Sequence, residues 1–247
     1  MISFAIPTYK RVNILKTKTL KLLASYKIPS RDIFIFVADK EEERLYRSAV
    51  GSGYKIVVGI KGIAQQRNFI SKYFKEGSKI VYIDDDIDMI NELEGSKQIK
   101  LPDLIRFTIS AFKECEEHKA YIWGIYPSDN GFFQKRNITY DRRLIIGGMY
   151  GIINRHKKEL MVSIVKNEKE DYERTLRYYK NDGVVVRYNF ISVKTRNYAE
   201  GGIKALIDRV GASKLNSERL LKAFPNDVSV VEPTKSNKYW ELKILSD

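Results

Sequence analysis

Three consecutive carboxylates, Asp84-Asp85-Asp86, with Asp88 close behind, follow directly on the apolar run Lys79-Ile-Val-Tyr-Ile83. Like charges crowded at the end of a buried strand cost folding energy, and a cation is the simplest way to offset that cost. On an extended chain, residues two apart point to the same face, so Asp84 and Asp86 can converge on one hard ion or its water shell. The chain has one cysteine and two histidines, too few for a zinc site of Cys and His ligands. An all-oxygen site suits Mg2+ or Mn2+ bridging two phosphates. A solvated acidic turn or a helix cap is the plain alternative for an isolated Asp-x-Asp. The triple cluster in a basic protein weighs towards a metal.

Two more groups could do chemistry. Glu170-Asp171 stands just inside a helix that follows the glycine-bearing stretch Ile145-Ile-Gly147-Gly148-Met-Tyr-Gly151. A carboxylate there can act as general base for an attacking hydroxyl, although a first-turn acid favoured by the helix dipole reads the same way. Ala64-Gln65-Gln66-Arg67-Asn68 opens another helix. Arg67 can pair with phosphate or carboxylate, and Asn68 can hydrogen-bond a base or ribose; an exposed polar helix face is the alternative. Cys115 falls in an apolar-periodic stretch and is expected to be a buried structural thiol.

The elements that must position these groups are short. Apolar strands over 2–6, 32–39, 55–58 and 79–83 alternate with helices near 15–28, 41–48, 63–74 and 101–115. That alternation predicts an α/β fold with a mostly parallel sheet covered on both faces, in which ligands bind at the carboxyl ends of the strands. The loops after Ile6, Val37 and Ile83 should therefore share one edge. Further on, the pattern predicts a strand over 120–126, a turn at 127–131, a strand pair or strand-turn over 144–153 around Gly147-Gly148, a helix over 168–180 and a β segment over 183–193. Two short helices, 203–210 and 217–224, precede a weakly patterned end.

A chain of 247 residues with 43% hydrophobic and 30% charged residues builds one substantial core and is not disordered. The net charge is +13, spread along the chain with no polybasic tail. A polyanionic partner or phosphate-rich ligand would therefore meet a footprint assembled on the folded surface; a generally basic proteome accounts for the charge equally well. The start, MISFAIPTYKR, lacks a secretory signal, and no apolar run reaches the roughly 20 residues needed to span a bilayer, so a cytoplasmic location without membrane contact is expected.

Taken in order, these features resemble the GT-A class of nucleotide-sugar-dependent glycosyltransferases over residues 1–200. The resemblance implies a Rossmann-like domain over 1–202, with a small helical and β extension over 203–247 packed on it. It implies that Pro7, Thr8, Tyr9 and Arg11 hold the nucleotide and that Asp39 reaches its base or ribose. Gln65, Arg67 and Asn68 would contact nucleotide and sugar, with Arg196 assisting. Asp84 and Asp86 would hold Mn2+ or Mg2+ on the diphosphate of a UDP-sugar, beside Asp85. Glu170-Asp171 would supply the base for inverting transfer, the class favouring the second acid.

Within that class, Trp123-Gly-Ile-Tyr-Pro127-Ser-Asp-Asn-Gly-Phe-Phe133, followed by Ile145 to Arg155, resembles the TET/JBP-associated glycosyltransferases of phages and large DNA viruses. These are relatives of the base J glucosyltransferase. This implies glucose carried from UDP-glucose to a hydroxymethylated pyrimidine in DNA, in the host cytoplasm if the source is viral. Tyr126, Phe132, Phe133 and Tyr150 would line the acceptor side, or else belong to the core. The late His that often completes the metal shell is missing, leaving water or a residue near Arg196-Asn197. The Gln-x-x-Arg-Trp signature of processive synthases is absent, which favours single-sugar transfer. A glycan or protein acceptor, a nucleotidyltransferase and a non-catalytic DNA-binding protein are the rival readings.

Overall fold

The computed structural model describes residues 1–164, 168–195 and 209–245. Its main sheet is built from β1 (Ile2–Pro7), β2 (Ile33–Val37), β3 (Lys55–Val58), β4 (Lys79–Ile83), β7 (Ile122–Ile125), β8 (Ile138–Thr139), β9 (Met149–Ile153) and β10 (Val186–Tyr188), in the spatial order β3-β2-β1-β4-β9-β7-β10-β8. β1 pairs in parallel with β2 and β4, β2 with β3, and β7 with β10. Only β9, set between β4 and β7, and the edge strand β8 run the other way. The expected mostly parallel α/β sheet is present.

The continuous apolar runs are what such a sheet requires. All five residues of β2 are buried, because helices cover both faces. β1 divides its side chains by alternation: Phe4 and Ile6 enter one core with Ile35, Val81 and Trp123, while Ala5 enters the other with Phe36, Ile70, Tyr82 and Tyr150. The covering helices are α1 (Val12–Thr17), α2 (Thr19–Ser25), α3 (Lys40–Val50), α4 (Ile63–Tyr73), α5 (Leu104–Glu117) and α6 (Glu170–Asp182), and a further helix, α7 (Arg209–Ala223), lies apart from the main sheet. Cys115 is fully buried. Among the described residues, no helix is long and apolar enough to cross a membrane.

Four differences from the sequence pattern matter. The first expected helix is two, because the chain breaks at Lys18 (φ −117°, ψ −89°) between α1 and α2. Immediately after the aspartates the chain forms a hairpin, β5 (Ile87–Glu94) and β6 (Lys97–Lys100), turned at Gly95 with φ +59°. β5 also pairs with β11 (Ile191–Thr195), giving a second sheet of order β11-β5-β6. The single β segment expected over 183–193 is therefore two strands serving different sheets, and 144–148 is a loop leading into β9. Finally, the weakly patterned end pairs as β12 (Val228–Val231) and β13 (Glu241–Ile244). With α7, this hairpin contributes Leu220, Phe224, Val228 and Leu242 to a third core with Ala64, Val162, Ile164 and Leu176. Most of the expected helix over 203–210, and the junction at 202–203, lie outside the described residues.

Candidate active site

The carboxyl ends of β1 and β4, the start of α4, the loop before β9 and the start of α6 surround one cleft of about 810 Å3. Parallel pairing of β1 with β4 brings the loop after β1 against the aspartates. Thr8 donates its hydroxyl to Asp85 Oδ2 at 2.6 Å, and Arg11 Nη1 reaches Asp85 Oδ1 and Asp86 Oδ2, both at 3.3 Å. Tyr46 of α3 steadies the same loop, its hydroxyl lying 2.8 Å from Thr8 Oγ1 and accepting the Arg11 amide at 3.1 Å. Below, Thr19 donates to the Asp84 carbonyl and accepts the Ile87 amide, fixing the turn, while Lys18 pairs with Asp88 at 2.7 Å.

The turn after β4 gives the three aspartates different surroundings. Asp85 points inward, 5% exposed, and its oxygens are occupied by Thr8 and Arg11. Asp84 and Asp86 remain more open to the cleft. Burial raises all three carboxyls: Asp84 to about 7, with Arg67 opposing and Asp86 adding to the rise; Asp85 to about 6 against Thr8 and Arg11; and Asp86 against Arg11 and Lys18. Crowded carboxyls whose charged form is disfavoured by burial and by one another are the residues a divalent cation would relieve. Among the described residues, no three His, Cys, Asp or Glu converge on a ready-made metal centre. Two carboxylates are nevertheless enough for an ion that keeps its waters and takes the rest of its shell from substrate phosphates.

Arg67 ties this corner to the opposite one. Its Nη2 donates to Asp84 Oδ1 and to the Gly147 carbonyl, both at 2.9 Å, and its Nη1 donates to Glu170. A β-carbon on Gly147 would stand 2.7 Å from Arg67 Nη1, so the guanidinium has room only because that residue is glycine. Glu170 also accepts Arg174 Nη1 at 2.5 Å. Although burial pushes the other way, the two guanidinium groups hold the Glu170 carboxyl below the usual carboxylate range. Glu170 is thus a buried, doubly paired anion and unsuited to accept a proton. Asp171 differs: among the described residues its side chain is bonded only by the neighbouring Tyr172 amide, at 3.0 Å. Burial and then the Glu170 charge raise it to about 6, against Arg174.

The loop carrying these acids is held from the far end of the chain. Lys169, left-handed at φ +67° and buried, places its ammonium 3.5 Å from Glu241 of β13. Asn216 of α7 donates to the Glu168 carbonyl at 3.0 Å.

Pro7, Thr8, Tyr9, Arg11, Arg67, Asp84, Asp85, Asp86, Glu170 and Asp171 all line the cleft. Other expected residues do not. Gln65 is exposed outside the lining; Gln66 stands there instead, bonded through Nε2 to the Val37 carbonyl at 3.1 Å and through Oε1 to the Ile60 amide at 2.8 Å. Asn68 turns away and clamps Val162 through both its amide and carbonyl. Asp39 caps α3 by accepting the amides of Glu41 and Glu42, and lies outside the lining. Tyr150 is core, stacked on Tyr82 at 4.7 Å with the Arg174 guanidinium 3.9 Å from its ring centre. Tyr126, Phe132 and Phe133 fall outside the lining, the two phenyl rings largely exposed. Arg196 lies outside the described residues. Tyr46, Gln66 and Lys169 were not anticipated; the burial register of α4 (Ala64, Gln66, Arg67, Ile70) is a helical face from which Gln66 could have been chosen.

No family model matches the chain, and no curated protein matches it. Among solved structures, glucosyl-3-phosphoglycerate synthase from Mycobacterium tuberculosis with Mn2+ and UDP-glucose aligns with TM-score 0.54 at 10% identity, covering 99% of this chain and 86% of that one. The same enzyme with phosphoglyceric acid as well gives 0.53 at 12%, covering 100% and 87%. The fold is that of the GT-A nucleotide-sugar transferases. At such identities the likeness extends to the GT-A architecture and not to individual side chains. In that fold, the edge where β1, β4 and α4 meet is the edge at which this chain gathers its aspartates.

Proposed function

We propose that the protein is a metal-dependent glycosyltransferase that moves a sugar from a UDP-sugar to a hydroxyl acceptor with inversion. The observation that carries this reading is the sharing of one cleft by two roles: the open Asp84 and Asp86 pair at one corner, and Asp171, with no cation paired to it among the described residues, at another. The solved enzyme with Mn2+ and UDP-glucose supports the same donor and ion here.

Mn2+ or Mg2+ would be held by Asp84 and Asp86 and would neutralise the charge on the departing diphosphate. Arg11, already paired to Asp85 and Asp86, adds fixed positive charge at that corner. Pro7, Thr8 and Tyr9 form the wall for the nucleotide, and Gln66 fixes the Val37 and Ile60 backbone facing it. Asp171 accepts the proton of the acceptor hydroxyl as its oxygen bonds to the anomeric carbon and the sugar–phosphate bond breaks, releasing UDP. Glu170, neutralised by Arg67 and Arg174, stays ionised and anchors the start of α6.

For the acceptor, we favour a hydroxymethylated pyrimidine in DNA, with glucose as the sugar. The net charge of +13 supports this, since a polyanion gains from that field whereas a neutral glycan does not. The deciding experiment incubates the protein with Mn2+ and a panel of UDP-sugars, with and without hydroxymethylated DNA. Release of UDP that rises with the modified DNA, and is lost in Asp84→Ala and Asp86→Ala, is the expected result. No cleavage of any UDP-sugar sinks the transferase reading. Transfer to saccharide or protein alone removes DNA and keeps the rest. DNA binding that survives or tightens in the aspartate variants, without turnover, would identify a binding protein.

A further inference from the structure

Among the described residues, Glu42, Asp85, Glu170 and Glu173 are buried acids. Three of them meet arginine: Asp85 pairs with Arg11, Glu170 with Arg67 and Arg174, and Glu173 with Arg177. Glu42, 6% exposed in the first turn of α3, is bonded by two backbone amides instead. Lys10 donates its N–H to Oε1 at 2.6 Å, and Ala38 donates to Oε2 at 3.1 Å. An acid in a first helical turn commonly reaches back to the amide of its own cap. Here the cap is Asp39, and Glu42 passes over it to the residue before and to the loop of another strand. Burying a carboxylate is costly, and these two charge-assisted bonds are what offsets the cost.

Tyr46, one turn further along α3 and fully buried, holds the same loop. The Thr8 hydroxyl has a single proton and gives it to Asp85 Oδ2, so Tyr46 must be the donor in its 2.8 Å bond to Thr8 Oγ1. Donation therefore runs from Tyr46 through Thr8 to Asp85. Arg11, bonded to Tyr46 through its amide and to Asp85 through Nη1, closes the ring. Between these attachments Lys10 is left-handed, at φ +55°, a conformation that a residue with a side chain rarely takes unaided. The residues fixed in this way include Thr8, Tyr9, Arg11 and Ala38, all of which line the cleft. The Tyr9 ring lies 5.5 Å from Lys10 Nζ and 5.3 Å from Lys61 Nζ, both lysines exposed. An aromatic face beside two ammonium groups suits an anionic ligand that carries a flat ring.

We propose that Glu42 and Tyr46 are positioning residues for the donor: from α3 they hold the loop after β1 and the end of β2 in the shape that receives a nucleoside diphosphate. The assignment rests on the reading of this cleft as a UDP-sugar site. Neither side chain lines the cleft, so both act through the residues they hold, Glu42 through Lys10 and Ala38, and Tyr46 through Thr8 and Arg11. The loop is set before the nucleotide arrives, and binding does not have to order it.

The test uses Glu42→Gln, which keeps the volume but leaves one acceptor oxygen for two amides, and Tyr46→Phe, which removes the hydroxyl alone. Tyr26→Phe is the control, since it removes a buried hydroxyl bonded to the Leu101 carbonyl at 2.8 Å, away from the cleft. Calorimetric titration of UDP in the presence of Mn2+ is read beside the thermal midpoint and beside KM and kcat for UDP-glucose cleavage. The expected result is UDP affinity lower by about tenfold in Glu42→Gln and by about three- to tenfold in Tyr46→Phe, with Tyr26→Phe at the wild-type value. KM for the donor should rise in step while kcat is nearly unchanged, as for lost ground-state binding. Should Glu42→Gln not fold, Tyr46→Phe, the milder change, decides. Wild-type UDP affinity in the variants, with only the thermal midpoint lowered, overturns the positioning role, and so does an equal loss in Tyr26→Phe. Absence of UDP binding by the wild type overturns the donor reading of the cleft and this role with it. UDP binding that weakens in the variants, without cleavage of any UDP-sugar, keeps the positioning role and overturns the transferase reading.

Discussion

Arg67 joins Asp84 at one corner of the cleft to Glu170 at the other, and is 6% exposed. Its loss would leave Asp84 without this cation and Glu170 with Arg174 alone in a buried setting. Arg67→Met should lower stability by about 3–5 kcal/mol, measured by denaturant unfolding, because a broken buried pair leaves an uncompensated charge. Gly147→Ala is a gentler probe: a β-carbon 2.7 Å from Arg67 Nη1 must move the guanidinium, so turnover should fall while the secondary structure by circular dichroism is retained. As the proposed base, Asp171 sets the expected pH response. With its carboxyl raised to about 6, the proton-accepting form gains population as pH increases through that value, so the transfer rate should climb on the acid side and level off above it. Asp171→Asn should lose about 10²–10⁴ in rate and that acid limb, with UDP affinity retained. Glu170→Gln leading to the same pH change would assign the base to Glu170 instead.

At the level of elements, the apolar strand ending in Asp84-Asp85-Asp86 was readable because both its burial and its carboxyl-terminal acids are local facts. So was α6, since two acids opening a helix mark its first turn. The hairpin β5–β6 was not. Ile87-Asp-Met-Ile-Asn-Glu-Leu-Glu94 carries too many acids to read as a strand alone, and it is completed by β11 from the other end of the sequence. Gln65 was preferred to Gln66 because spacing within a motif does not say which face of α4 meets the cleft. The C-terminal hairpin was silent for the same reason: its apolar residues acquire meaning only against Val162 and Leu176. That packing gives α7 and β13 a task, holding Glu168 and Lys169 immediately before Glu170 and Asp171. Asn216→Ala, which removes the bond to the Glu168 carbonyl, should reduce kcat for transfer several-fold and leave UDP affinity in place. A fall in thermal midpoint with unchanged kcat would make Asn216 part of the packing alone.

For the whole molecule, the net charge is +13, while the cleft lining itself carries more acids than bases, so the excess lies outside the cleft. If the acceptor is DNA, its affinity should fall steeply as salt is raised from 50 to 200 mM, while the affinity for UDP changes far less. Equal salt response of both would place the excess charge outside acceptor binding. The cleft is also divided along the chain. Its described lining comes from residues 7–86 and from 127–195, and none falls between 87 and 126. That intervening stretch contains the exposed turn at Gly95, while β4 with β9 and β5 with β11 join the two sides through backbone ladders. The molecule is therefore a natural candidate for a two-piece enzyme. Fragments divided at Gly95 would each carry one half of the cleft, and activity would report their reassociation.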